Sequence, residues 1–348
     1  MTGATMASLS LQSTAASLLA PGKGILAADE SLGTITRRFE ALGIVSNAEL
    51  RQAYRGLLFT TPSLNEHISG AILFDETMRQ TIGTTPIPEA LARKGIIPGI
   101  KVDEGTEDLP RFPGEKLTKG LDGLRERLLH YRDMGARFTK WRAVVALGEH
   151  LPTCACIEAN AHRLAHFAAL SQEAGLVPIV EPEVLMDGIH TLARCEEATG
   201  RVLGSVFAAL TEYRVSLEAM LLKTGMVLPG KDCPEQEDNR AIAQATIRCL
   251  RRAVPAAVPG IVFLSGGQSA AAATERLNAI CTAAAGPWTL TFSFGRALQD
   301  DAMKAWRGDP ANTAVAQEAL RRRAECNGLA VQGRYSERDE RGPSRYRD

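Results

Sequence analysis

One pattern constrains this chain more than any other: strand-like runs alternate with helix-like ones eight times. The strand-like runs are residues 24–29, 70–74, 97–103, 137–145, 177–184, 219–227, 260–265 and 288–295. Most are short, rich in Ile, Val, Leu, Ala or Phe, and closed by Gly, Pro or Asp, as buried strands are. Helical periodicity lies between them, at 121–134, 149–174, 238–253 and 270–285, with Gly175 ending the second of these. Ser46-Asn-Ala-Glu49 has the form of a helix-opening capping box. Strand alternating with helix, without an evident linker, implies a parallel sheet covered by helices. Eight units over about 270 residues match the roughly 250 typical of a closed α/β barrel of the (β/α)8, or TIM, type. A doubly wound sheet is the alternative. It is weakened by the lack of a G-x-G-x-x-G turn after the first strand and of a Walker A loop. The expected organisation is a single barrel domain over 1–331, with an added N-terminal helix, and a short polar, mobile tail over 332–348.

Within this pattern Lys223 stands out. It lies in Glu218-Ala-Met-Leu-Leu-Lys-Thr-Gly-Met-Val-Leu228, an apolar run that reads as a buried strand. Burying an unpartnered ammonium disfavours its charged form. A lysine that loses its proton becomes an amine nucleophile able to form a Schiff base with a carbonyl.

A barrel places its catalytic residues at the C-terminal ends of several strands. Charged residues recur there: Asp29 and Glu30, followed by the polar Ser31, after strand one, Lys101 and Asp103 on strand three, Lys140 and Arg142 on strand four, Glu181 and Glu183 on strand five, Lys223 on strand six. Side chains two apart share a face of a strand, so Lys140 pairs in direction with Arg142, and Glu181 with Glu183. A single strand-end charge is usually just solvated. Charges of both signs on five strands converging on one mouth form a catalytic cluster instead.

The last two strands bear on the substrate. Leu264-Ser-Gly-Gly-Gln268 and Ser293-Phe-Gly-Arg296 each precede a helix. Small residues there let backbone N–H groups approach an anion, and these loops are a common phosphate site in barrel enzymes. Arg296 would add a charge-assisted contact.

Other features point to bland roles. His162 and His166 are four apart on a helix, a metal-like spacing, but no H-E-x-x-H pattern accompanies them, and a surface or packing role is favoured. Cys154 and Cys156 form a lone C-x-C, and the seven cysteines read as reduced thiols in a cytoplasm. Forty basic and forty acidic residues give zero net charge, against nucleic acid or a membrane surface as the main partner. No apolar stretch reaches transmembrane length, and no secretory signal is evident.

The motifs together resemble the class I, Schiff-base-forming fructose-bisphosphate aldolases. The resemblance runs from Gly22-Lys-Gly-Ile-Leu-Ala-Ala-Asp-Glu-Ser31 through Gly99-Ile-Lys-Val-Asp103, Lys140-Trp-Arg142, Ile179-Val-Glu-Pro-Glu183 and Leu221-Leu-Lys223. It continues through Phe263-Leu-Ser-Gly-Gly-Gln-Ser269 to Phe292-Ser-Phe-Gly-Arg-Ala-Leu298. It implies that Lys223 attacks the C2 ketone of fructose 1,6-bisphosphate and that the iminium is the electron sink for breaking C3–C4. Glu181 would be the general acid/base and Glu183 would assist dehydration of the carbinolamine. Lys140 would hold charge in the site and depress the pKa of Lys223, and Asp29 would take the C4 hydroxyl proton. By the same resemblance Ser265, Gly266, Gly267, Ser293, Gly295 and Arg296 would hold the C1 phosphate. Ser31, Thr34, Arg38 and Lys101 would serve the other, with Arg142 nearby. No metal or other cofactor is implied, and a homo-oligomer, specifically a homotetramer, is expected.

Three positions depart from the family pattern. Lys223-Thr-Gly-Met226 stands where Lys-Pro-Asn-Met is usual, and Phe294 replaces a common tyrosine. The chain ends in Tyr346-Arg-Asp348 rather than in a terminal tyrosine, so the tail role is not carried over to Tyr346. The expected function is a cytoplasmic aldolase of glycolysis and gluconeogenesis. The alternatives are a Schiff-base aldolase preferring fructose 1-phosphate and a non-catalytic aldolase-like scaffold.

Overall fold

A computed structural model describes residues 3–283 and 286–341. Eight parallel strands close into a barrel: β1 (Gly24–Ala28), β2 (Ile68–Leu73), β3 (Ile97–Lys101), β4 (Phe138–Val145), β5 (Val177–Val184), β6 (Leu221–Thr224), β7 (Gly260–Phe263) and β8 (Thr289–Phe294). Each pairs with its sequence neighbours, and β1 pairs with β8 at Ile25 and Ser293 to close the ring. The α/β barrel expected from the alternation is the fold observed.

Strand alternation divides the apolar residues into two cores. One set, including Leu26, Ile100, Trp141, Val180, Leu222 and Phe263, faces outward and packs under the helices. The other, including Ile25, Ile72, Phe138, Ile179, Leu221 and Val262, fills the lumen. The N-terminal helix Gly3–Leu18 joins this inner set through Leu11, Ala15 and Leu18, with Leu19 just beyond it, and so closes one end of the barrel. Close approach there requires glycine. A Cβ at Gly99 would sit 2.3 Å from the Phe138 ring, and one at Gly70 2.6 Å from Leu18.

The helices follow the strands, with caps that explain where they begin. Asp238 accepts from the Ala241 amide at 2.7 Å, opening Asn239–Ala253. Thr153 accepts from Cys156, opening Cys154–Glu173, and Thr191 from Arg194, opening Leu192–Glu212. At Ala48–Thr60 the cap is Asn47, which accepts from Leu50 at 2.7 Å. This corrects the capping box expected from Ser46, whose hydroxyl bonds Thr36 instead. The helix expected from residue 149 begins at Cys154, because Thr153 is held outside it by Glu115, which takes its amide at 2.8 Å and its hydroxyl at 2.5 Å.

The interval between β3 and the helix Leu124–Asp133 holds an antiparallel hairpin, Thr106–Asp108 with Lys116–Thr118, that the sequence did not announce. Within the segment after Val331, Tyr335 is buried and its hydroxyl donates to Glu340 at 2.7 Å, while Arg323 grips Glu340 through two nitrogens. Tyr346 lies outside the described residues.

Candidate active site

The lumen is apolar in its lower layers and charged at the top. Along β4 the inward positions run Phe138, Lys140; along β5, Val177, Ile179, Glu181; along β6, Leu221, Lys223. The change happens at the C-terminal ends, where the barrel opens into a cavity of about 1220 Å³. All the site residues singled out in the sequence line this cavity except Gly267. Gly267 lies just behind the rim, where a Cβ would stand 3.5 Å from Nη2 of Arg296.

Two lysines and two carboxylates form the centre. Nζ of Lys223 lies 3.2 Å from Oε1 of Glu181. Nζ of Lys140 lies 2.6 Å from Oδ2 of Asp29 and 3.4 Å from Oε2 of Glu181. That longer contact lacks hydrogen-bond alignment, so Oε2 of Glu181 is buried without a hydrogen-bond partner. Burial alone would raise the Asp29 carboxyl, but the ammonium groups of Lys140 and Lys223 outweigh it and hold Asp29 at about 2. Burial alone would lower the pKa of Lys140, but Asp29 and then Glu181 outweigh it and raise it well above the ordinary lysine value. Lys140 is therefore locked as a cation by two carboxylates, whereas Lys223 touches one. Of the two buried lysines, Lys223 has the fewer carboxylate contacts.

Around this centre several other charges are also paired. Arg142 bonds Glu183 through Nε. Lys101 meets Asp103 at 2.6 Å, and Asp103 also accepts the Arg142 amide at 3.3 Å. Arg38 bonds Glu30 and lies 2.8 Å from Asp300, while Arg55 reaches the other oxygen of Glu30 at 2.8 Å. Ser31 and Thr34 share a hydrogen bond of 3.1 Å. Glu30, named among the charges after strand one but given no role, also lines the cavity, as do Arg79, Arg127 and His130, which were not singled out. Glu30 adjoins Asp29 in the sequence, which is a usable signal; the other three lie between the strands, where nothing in the sequence points inward.

The loops after β7 and β8 have the geometry of an anion cradle. Gly266 and Gly267 have φ of 58° and 93°, a left-handed pair that glycine adopts without cost. Among the described residues neither amide donates to a backbone carbonyl. Arg296 opens the helix Arg296–Trp306 with Gly295 before it. The hydroxyl of Ser293 is buried with no partner, an orphan that a ligand oxygen would satisfy.

The ring order sets distances along a substrate. β7 neighbours β6, so the cradle adjoins Lys223; β3 is across the ring, so Lys101 faces the cradle from the far side. His162 and His166 are exposed on the outer helix Cys154–Glu173, with the Tyr213 ring 5.9 and 5.8 Å away. The seven cysteines are free thiols. Among the described residues no helix is long and apolar enough to cross a membrane, and no group of three or more His, Cys, Asp or Glu is placed to hold a metal.

Comparison with known proteins places this geometry. The family profile described as Glycolytic: Fructose-bisphosphate aldolase class-I matches residues 10–346. A probable fructose-bisphosphate aldolase class 1 of Xanthomonas campestris pv. campestris is 53% identical over 327 residues, covering 93% of this chain and 98% of that one. Fructose-bisphosphate aldolase 1 of Toxoplasma gondii is 50% identical over 328 residues, covering 93% and 90%. A solved structure of the Plasmodium falciparum aldolase, in complex with TRAP and a small-molecule inhibitor, superposes with a TM-score of 0.93 at 46% identity, covering 95% and 96%. The chain belongs to the class-I fructose-bisphosphate aldolase family.

Proposed function

We propose that this protein cleaves fructose 1,6-bisphosphate reversibly to dihydroxyacetone phosphate and glyceraldehyde 3-phosphate through a Schiff base on Lys223. The observation that carries this reading is the placement of Lys223, buried beside Glu181 and one strand away from the anion cradle. The attacked carbon C2 is next to the phosphate-bearing C1, so the nucleophile must sit beside the first phosphate site. The second phosphate is four carbons further on, and Lys101, Ser31, Thr34 and Arg38 line the cavity away from Lys223's neighbouring strands.

The steps follow from the contacts. Glu181 takes a proton from the Lys223 ammonium 3.2 Å away, the freed amine adds to the C2 carbonyl, and Glu181 returns that proton to the departing hydroxyl of the carbinolamine so that water leaves. Glu183, steadied by Arg142, assists that dehydration. Asp29 accepts the C4 hydroxyl proton, the C3–C4 electron pair moves into the iminium, and the aldehyde departs. A carboxylate held near 2 is a weak base while its cations stay charged. Cleavage neutralises the iminium to an enamine, which removes one of those cations as the proton arrives, so the basicity of Asp29 rises with the step that needs it. Lys140 remains charged throughout and keeps the carboxylates in place. Protonation of the enamine at C3 and hydrolysis release dihydroxyacetone phosphate and free the lysine.

The electron sink is the iminium, so the reading needs no metal. A cytoplasmic homotetramer goes with it as an expectation. The test is borohydride reduction in the presence of dihydroxyacetone phosphate, with the modified peptide mapped by mass spectrometry. An adduct on Lys223 is expected, and its absence rejects the mechanism.

A further inference from the structure

The turn that forms the proposed anion cradle is closed by a side chain, and that side chain is itself held by a half-buried arginine. Gln268 is 7% exposed. Its backbone amide and its side-chain Nε2 both donate to the Ser265 carbonyl at 3.0 Å. Its Oε1 accepts from Nη1 of Arg276 at 2.7 Å. Nε2 also approaches Sδ of Met226 at 3.8 Å, three residues beyond Lys223. Arg276 lies on the helix Ala270–Ala283, behind the loop and outside the cavity lining. Among the described residues it makes no ion pair, and its Nε is buried without a partner. Partial burial pulls its pKa down from the ordinary arginine value.

We propose that Arg276 is a positioning residue for this phosphate loop: it locks the Gln268 amide in the one orientation that grips Ser265, and so ties the loop to the turn after Lys223. The chemistry of donors and acceptors fixes the direction. A guanidinium only donates and a backbone carbonyl only accepts, so Gln268 must turn Oε1 to Arg276 and Nε2 to Ser265. Half a turn of the amide would set donor against donor and acceptor against acceptor. Both contacts would be lost at a buried site, where water cannot replace them. With the Ser265 carbonyl pinned by two donors, Gly266 and Gly267 stay left-handed and their amides stay free of backbone partners. Without Arg276 the amide has no reason to prefer that orientation. The loop then loses one of its two closures and presents its N–H groups less often in the binding geometry.

This inference rests on the reading of 265–267 as the seat of the C1 phosphate. The experiment is the borohydride trap run as a titration with two ketones, dihydroxyacetone phosphate and unphosphorylated dihydroxyacetone, on wild type, Arg276→Met, Arg276→Lys and Gln268→Met. Arg276→Met is expected to raise the half-saturating dihydroxyacetone phosphate by about 10-fold, the effect of one lost buried hydrogen bond, and to leave the dihydroxyacetone titration unchanged. Arg276→Lys, which keeps a donor, should recover most of the loss. Gln268→Met should show the same selective loss, and it carries the test if Arg276→Met does not fold. The proposal is overturned if the loss is equal for both ketones, which marks general damage, or if Arg276→Met and Gln268→Met bind the phosphorylated ketone like wild type. A wild-type protein that traps neither ketone on Lys223 would instead overturn the functional reading.

Discussion

The amine of Lys223 lies 3.2 Å from Oε1 of Glu181, and both residues are only 3% exposed. Glu181 also faces Lys140, so one carboxylate stands between two buried ammonium groups. Replacing it with glutamine removes a proton carrier and leaves the lysines with Asp29 alone. Glu181→Gln should lower kcat for fructose 1,6-bisphosphate by about 100-fold or more, within the range of general acid–base catalysis. Formation of the trapped adduct should slow in parallel, because the same proton transfer serves dehydration. An unchanged trapping rate would place the acid elsewhere.

Asp29 is given a different step, so its loss should separate two readouts. Asp29→Asn leaves Lys223 and Glu181 in place but cannot accept the C4 hydroxyl proton. Cleavage of fructose 1,6-bisphosphate should fall by about 100-fold or more, while dihydroxyacetone phosphate, which has no C4, should still be trapped on Lys223. Equal losses in both assays would remove Asp29 from its assigned step.

The same residue predicts an acid-side stability difference. Its pKa is lowered from 3.8 to about 2, chiefly because Lys140 and Lys223 outweigh the burial penalty. A depressed carboxyl stabilises the fold above its unfolded pKa, and that contribution is lost as pH falls through the folded value. The shift corresponds to about 2 kcal/mol, present at pH 5 and fading between roughly pH 4 and 2. This is one interaction seen from two sides, so the raised pKa of Lys140 adds nothing further. Denaturant titrations of wild type should lose that increment across the window, and those of Asp29→Asn should lack the Asp29 step.

The barrel and its charged mouth were legible because both rest on short-range pattern. Alternation of Phe138 with Lys140, or of Ile179 with Glu181, marks an inward face within three residues. The pairing of those charges was not legible. Glu30 meets Arg55, 25 residues away, and Arg38 meets Asp300 across 262 residues, and no local spacing encodes such contacts. Arg276 was hidden for the same reason: on a helix it reads as a solvated charge, and its place behind the cradle comes from packing. The hairpin at 106–118 was missed because its two strands, three residues each, are too short to show a period.

Gly225, in the departure Lys223-Thr-Gly-Met226, turns out to be under little constraint. Its φ is not in the left-handed region, and a Cβ there would meet only Leu264 Cδ1 and Val184 O, each at 3.9 Å. Gly225→Ala should therefore fit, and should stabilise the fold by about 0.4–1 kcal/mol by restricting the unfolded chain. Thermal unfolding and kcat together test this: a fall in both would show that the segment after Lys223 needs the freedom of glycine.

The floor of the barrel gives the opposite expectation for the same substitution. At Gly99 a Cβ would stand 2.3 Å from the Phe138 ring, which is itself fully buried between β3, β4 and the plugging helix. The ring has nowhere to retreat, since Leu18 already fills the space at Gly70. Gly99→Ala should cost about 1–3 kcal/mol through overpacking. Gly56, inside the helix Ala48–Thr60, has nothing within 4 Å of an added Cβ, so Gly56→Ala should gain about 0.5–1 kcal/mol from helix propensity. Measuring both by denaturant unfolding separates close packing from backbone entropy. If Gly99→Ala were neutral, the inner core would be looser than the contacts of Leu18 and Phe138 require.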